Sequence, residues 1–142
     1  MNITIVGTGN MARGIGARLV EGGHSLAVVG RHADKAAELA RELRARKAGA
    51  KAEPATLEAG LANDVVVLAL PFDAAREFAT ANAAKLAGKV VVDITNPLNA
   101  TYDGLVTAPG KSAAEELANL LPKSAVVKAF NTTFAGTLVD GK

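Results

Sequence analysis

The sequence contains no cysteine. Disulfides, thiolate metal sites and a cysteine nucleophile are therefore excluded. Histidine is scarce: His24 and His32 are too few and too separated to form a metal cluster. No apolar run approaches ~18 residues, so no transmembrane helix is expected and a membrane is not an expected partner. A strong charge of one sign is also missing. The 142 residues carry a formal net charge of only +2, although Arg and Lys crowd the segment from Arg31 to Lys51. That is no general nucleic-acid footprint. The first strand begins at residue 2, which leaves no room for a signal peptide, and the expected location is the cytoplasm.

Apolar residues are plentiful. At 49% hydrophobic, the chain is expected to fold as one domain over residues 1–142 with a core of its own. Its organising stretch is MNITIVGTGNMARGIG, Met1 to Gly16. Ile3, Ile5 and Val6 suit a buried strand. Gly7, Thr8 and Gly9 break that strand, and Asn10 to Val20 reads as a helix. This is the opening of a dinucleotide-binding βαβ unit. Gly7 permits the tight turn. Gly9 has no side chain to hold off a pyrophosphate, and Ala12 is small enough for the helix to pack on the strand. The helix N-terminus turns unpaired N–H groups toward the phosphates.

The second strand, Ser25 to Val29, bears on which dinucleotide is bound. An NAD site usually places Asp or Glu at its end, about 20 residues beyond the glycines, to accept hydrogen bonds from the ribose. This chain has Gly30, Arg31 and His32 there. A carboxylate would repel a 2′-phosphate, whereas Arg31 attracts it and can form a fork of charge-assisted bonds. NADP(H) is therefore expected over NAD, with Lys35 as a further contact.

Further elements follow in alternation. A helix from about Asp34 to Lys47 turns Ala37, Leu39, Ala40 and Leu43 inward. A weak edge strand spans Ala50 to Ala52 or Glu53, and Thr56 caps a short helix from Leu57 to Ala62. Asp64 to Leu70 is an apolar run without alternation, as in a strand buried on both faces. It delivers Leu70 and Pro71 to the carboxyl edge, where the ribose and nicotinamide would lie. Phe72 suits either that ring or the core. A helix from Asp73 to Leu86 leads to a fifth strand, Lys89 to Ile94, with Val90, Val91 and Val92 read as buried. Asn96 and Pro97 emerge at the same edge. Asp93 is read as satisfying nearby backbone N–H groups. From Asn99 to Lys111 no regular element is expected, and so long a loop suits a lid or binding loop. Ser112 to Glu115 has capping-box spacing. A sixth strand, Ala125 to Ala129, precedes Phe130 and Asn131. Phe134 to Lys142 gives no convincing element. The pattern predicts a three-layer α/β Rossmann fold with a doubly wound parallel sheet in the order 3-2-1-4-5-6.

With these residues placed, the sequence resembles the NADP-binding domain of the NADPH-dependent F-420 reductases, the F-420-dependent NADP oxidoreductase family. It is also similar to the related cytosolic domain of the STEAP metalloreductases. The stretches ITIVGTGNMARGIGARLVEGGHSL, VVVLALPFDAA, VVVDITNPLN and SAAEELANLLPKSAVVKAFNTTFAGTL carry the likeness. The resemblance implies hydride transfer between NADP(H) and the deazaflavin F-420 or a flavin-type co-substrate. It sets Thr8, Asn10 and Met11 along the pyrophosphate. Arg31 and His32 stand where a serine and an arginine usually bind the 2′-phosphate. Leu70, Pro71, Asn96 and Pro97 would enclose ribose and nicotinamide, and Ala129, Phe130 and Asn131 would face the deazaflavin. Family members continue past this length with a segment that completes the pocket and contributes to dimerisation, so a homodimer is implied. Direct hydride transfer needs no catalytic dyad, and none is found. Other readings are a non-catalytic NADP-binding module, or a short chain that needs a partner. A third, an imine or 3-hydroxyacid dehydrogenase, would need a proton donor beside the nicotinamide, and neither Lys128, within the sixth strand, nor Tyr102, in the long loop, is well placed for that.

Overall fold

Short β-branched runs separated by amphipathic segments fold here into strands covered by helices on both faces. The computed structural model describes residues 1–141. Strands β1 (Asn2–Val6), β2 (Ser25–Val29), β3 (Lys51–Pro54), β4 (Val65–Leu68), β5 (Val90–Asp93) and β6 (Ala125–Lys128) alternate with helices. The helices are α1 (Asn10–Glu21), α2 (Ala33–Arg44), α3 (Leu57–Gly60), α4 (Phe72–Leu86), α5 (Ala113–Leu120) and α6 (Ala135–Asp140). All strand pairs are parallel, and the sheet order is β3-β2-β1-β4-β5-β6. This is the expected Rossmann order. The order in which strands are added reverses between β1 and β4, which places a crevice at their carboxyl ends.

Two apolar layers hold the sheet. On one face Ile5, Ile15, Val20, Leu39 and Leu43 pack together, joining β1 to α1 and α2. On the other, Val66, Leu68, Phe72, Leu86, Val91 and Leu117 join β4 and β5 to α4 and α5. Phe72 is thus a core residue. Pro54 lies in edge strand β3, where its missing N–H is tolerated. Thr56 caps α3 by accepting from Ala59 N–H at 3.2 Å.

Several boundaries differ from the sequence reading. Helix α2 stops at Arg44 rather than Lys47, and Ala36 rather than Ala37 faces inward. Only Val91 of the β5 valines is fully buried, while Val90 is 36% exposed. Successive strand residues face opposite ways, and α5 covers only the face that carries Val91 and Val126. The larger correction is α6, which the sequence reading left without structure. It packs on α1, where a Cβ on Gly14 would lie 2.9 Å from both Ala135 O and Leu138 Cβ. Arg18 and Arg46 both donate to Val139 O, at 3.3 and 2.6 Å. The signal for α6 therefore sits in its partner helix.

Helix α5 opens with the anticipated capping box. Ser112 Oγ accepts from Glu115 N–H at 3.2 Å, and Glu115 Oε2 accepts from Ser112 N–H at 2.7 Å. The bond from Ser112 N–H, first among the causes, holds the Glu115 carboxyl below its usual range. Ser112→Ala should cost about 1 kcal/mol, measurable as a shift in the urea midpoint at unchanged slope.

Candidate functional site

The carboxyl ends of β1 and β2 are tied together. Gly7 N–H donates to Val29 O at 2.8 Å, and a Cβ on Gly30 would lie 2.8 Å from the Thr8 methyl group. The two turns therefore touch, and Gly7, Thr8, Gly30, Arg31 and His32 share one cleft of about 650 Å³. Leu70 joins them from beyond β4. The opposite wall was not anticipated: it comes from Leu57 of α3 and from Ala74, Glu77, Phe78, Ala81 and Asn82 of α4. One sequence signal existed for it. Asn82 is a polar residue in the otherwise apolar inward stripe Ala75, Ala79, Leu86.

The glycines of the turn do different work. Gly7 has φ +119°, and a Cβ there would come within 2.2 Å of Ala69 O. The fold itself demands glycine at that position. Gly9 has an ordinary φ of −81°, and a Cβ there would meet nothing within 4 Å. Its bare backbone opens onto free space. Helix α1 begins at this point with no capping side chain and no acid in its first turn. Its leading N–H groups and positive dipole end are thus free for an anion. These features fit a dinucleotide diphosphate.

Arg31 and His32 are exposed, and neither side chain makes a hydrogen bond or ion pair among the described residues. No carboxylate occupies the end of β2. Lys35 is exposed and pairs with Glu38 at 3.3 Å, outside the residues that line the cleft. Asn10 and Met11 lie on the first turn of α1. Asn10 Oδ1 accepts from Arg13 at 3.2 Å, while Met11 packs against the core. Arg13 also grips Glu42 at 2.7 Å, and this bond holds the Glu42 carboxyl below its usual range.

A second group lies at the carboxyl ends of β5 and β6. Asn96 Nδ2 donates to Asn131 O at 3.0 Å, which joins two of the anticipated residues. Pro97 O accepts from Val106 N–H at 2.9 Å. Phe130 has φ +63° and packs against the core, and Ala129 N–H donates to Asp93 O at 3.0 Å. None of Pro71, Asn96, Pro97, Ala129, Phe130 and Asn131 lines the cleft described above. Beneath this group Asp93 is fully buried. Its Oδ1 accepts from Thr95 N–H at 2.8 Å, which matches the sequence reading. Its Oδ2 accepts from Lys128 Nζ at 2.8 Å, a partner that reading lacked. Lys128 also donates to Thr95 O. Lys128 is therefore committed to structure rather than free as a proton donor. Thr95 Oγ1 is buried without a partner among the described residues.

The loop between β5 and α5 has no regular element beyond one bridge, Leu98 with Leu105. Its turn is self-contained: Asp103 Oδ1 accepts from Asn99 at 2.8 Å and from Thr101 at 2.6 Å. Tyr102, at its tip, has φ +61° and is 78% exposed. Among the described residues no cluster of three or more His, Cys, Asp or Glu could hold a metal ion. No described helix is long and apolar enough to cross a membrane.

A doubly wound parallel sheet with a glycine turn at its switch point defines the dinucleotide-binding Rossmann class. Within that class, the chain belongs to the family described as NADP oxidoreductase, coenzyme F420-dependent, which matches residues 2–97. Over 151 residues it is 33% identical to the F420-dependent NADP reductase of Methanocaldococcus jannaschii, covering 99% of this chain and 67% of that protein. Over 139 residues it is 32% identical to the rat metalloreductase STEAP3, covering 98% of this chain but only 26% of that protein. The solved structure of a hypothetical protein from Sinorhizobium meliloti superposes with a TM-score of 0.80 at 25% identity, covering 98% of this chain and 65% of that one. The chain thus spans about a quarter to two thirds of the length of these relatives.

Proposed function

We propose that this chain binds NADP(H) and serves in hydride transfer between it and a deazaflavin or flavin-type co-substrate. The observation that carries the reading is the shared cleft. Gly7 and Thr8 of the glycine turn line it together with Arg31 and His32, the uncapped start of α1 follows directly at Gly9, and the one carboxylate in the lining, Glu77, lies on the α4 wall. Thr8 and the N–H groups of Asn10 and Met11 would border the diphosphate. Arg31 and His32 would take the 2′-phosphate, and Lys35 would add charge on leaving its partner Glu38. Leu70, Pro71, Asn96 and Pro97 would border the ribose and nicotinamide, and Ala129, Phe130 and Asn131 the acceptor. When bound, the nicotinamide supplies the hydride chemistry. This chain's own share is to hold the dinucleotide by its phosphates and to fix the loop at Asn96 through its bond to Asn131. The acceptor named for the archaeal relative makes F-420 the first candidate.

A second reading is a nucleotide-binding module that needs a further segment, a second copy or a partner chain for turnover. The exposure of Leu98 and Leu105 just beyond Asn96 favours it.

Arg31→Glu tests the nucleotide assignment. NADPH affinity should fall about 10- to 100-fold while NADH affinity changes little, because one charge-assisted fork is lost and a repulsion gained. An unchanged NADPH preference in calorimetry would remove the basis of the reading. Stopped-flow mixing of the NADPH-loaded chain with oxidised F-420, flavins and ferric chelates separates the two readings. Loss of NADPH absorbance on mixing favours the oxidoreductase, and binding without oxidation favours the module.

A further inference from the structure

The α4 wall of the cleft holds one buried polar residue to which nothing above assigns a task. Asn82 is 8% exposed and lines the cleft. Its Nδ2 donates to Phe78 O at 2.9 Å, one helical turn back. That bond fixes the amide, since the flipped orientation would set two carbonyl oxygens against each other. Asn82 Oδ1 is then the free end. Among the described residues it has no hydrogen-bond partner, yet it is not one of the buried polar atoms closed off from solvent. The open space beside it is the cleft.

We propose that Asn82 Oδ1 reads the base of the bound dinucleotide by accepting a hydrogen bond from the exocyclic amino group of adenine. This rests on the NADP(H) reading above and adds a base specificity to it. Leu57 and Phe78 line the same cleft and offer apolar surface to the faces of a planar ring. At the polar end the amide is held by its Nδ2 bond to Phe78 O, and its unpartnered acceptor favours a base that carries an amino group. A base with a carbonyl at that position would meet Oδ1 oxygen to oxygen and leave it unpaired, and a buried unpaired acceptor is costly. Glu77 also lines the cleft and is an acceptor, but it is exposed, so water competes for it.

Calorimetric titration of the whole chain with NADP⁺ and with its hypoxanthine analogue tests this. In the analogue a carbonyl replaces the amino group of adenine. The unaltered protein should bind the adenine form about tenfold more tightly. Asn82→Leu should bring the two affinities to within about twofold, because it removes the acceptor and keeps the bulk. Asn82→Ala serves the same purpose if the leucine variant does not fold. Glu77→Ala, which removes the other acceptor, should leave the preference in place. Equal binding of both dinucleotides by the unaltered protein overturns the proposal. So does a preference that survives removal of the Asn82 amide, or one that disappears with Glu77→Ala. If neither dinucleotide binds, the NADP(H) reading fails as well, and that result is distinct from equal binding.

Discussion

Gly7→Ala should melt roughly 5–15 °C below the unaltered protein, whereas Gly9→Ala should melt close to it and yet fail to bind the dinucleotide well. The two glycines are two residues apart in one turn, and their surroundings set them against each other. At Gly7 a side chain meets two penalties. Its φ of +119° is one that L-residues rarely adopt, and a Cβ would sit 2.2 Å from the Ala69 carbonyl oxygen. Backbone cannot step aside as a flexible side chain can, and Gly7 N–H is already bonded to Val29 O. Strain and overpacking each cost about 1–3 kcal/mol, so a total of about 2–6 kcal/mol is expected. At Gly9 there is neither strain nor contact, and the stability change should stay below about 1 kcal/mol. The added methyl would instead occupy the space left for the diphosphate, and NADPH affinity should drop at least about tenfold. Thermal melts with calorimetry check both arms. If the Gly9 variant bound NADPH as the unaltered protein does, the diphosphate would have to lie elsewhere.

The same contrast shows what could be read from the chain alone. The β1 turn was legible because its signals are local: apolar β-branched residues, then Gly-Thr-Gly, then a helix, all within a dozen positions. The position of Arg31 was legible because a fixed number of residues separates the first turn from the end of β2. Sheet order followed from strict alternation of strands and helices. In each case the information lies close together in sequence.

What could not be read depends on distant partners. Helix α6 has no buried residue and no capping side chain, so its own six residues say little. It forms because Gly14 leaves room for it on α1 and because Arg18 and Arg46 reach Val139 O. The α4 wall of the cleft was missed for a related reason. Phe78 and Asn82 lie just past the stretch that ends at Ala75, but only the packing of α4 across the crevice turns them toward the glycine turn, and Asn82 had to be recognised as a polar intruder in an apolar stripe. The exposure of Val90 shows the limit of reading buried strands from composition. Its neighbours Val91 and Val92 look identical in sequence, and only the helix above decides which is covered.

Lys128→Met should destabilise the protein by about 2–4 kcal/mol, although Lys128 sits at the end of an edge strand. The reason lies in its partner. Asp93 is fully buried, and without the Lys128 ammonium its carboxylate would keep only the Thr95 N–H. Breaking a buried pair by removing one member costs about 3–5 kcal/mol, and the 30% exposure of the Lys128 side chain lowers that because water can approach the vacated end. Removing both charges should cost less than removing one. Asp93→Asn combined with Lys128→Met should therefore be more stable than Lys128→Met alone, since no bare charge remains. The loop provides a second readout. Lys128 also holds Thr95 O, next to Asn96 and Pro97, so the single variant should weaken NADPH binding as well as folding. Urea denaturation of both single variants and the double variant checks the stability order. A Lys128→Met loss below about 0.5 kcal/mol, or a double variant no better than the single, would show that water already stabilises the Asp93 carboxylate.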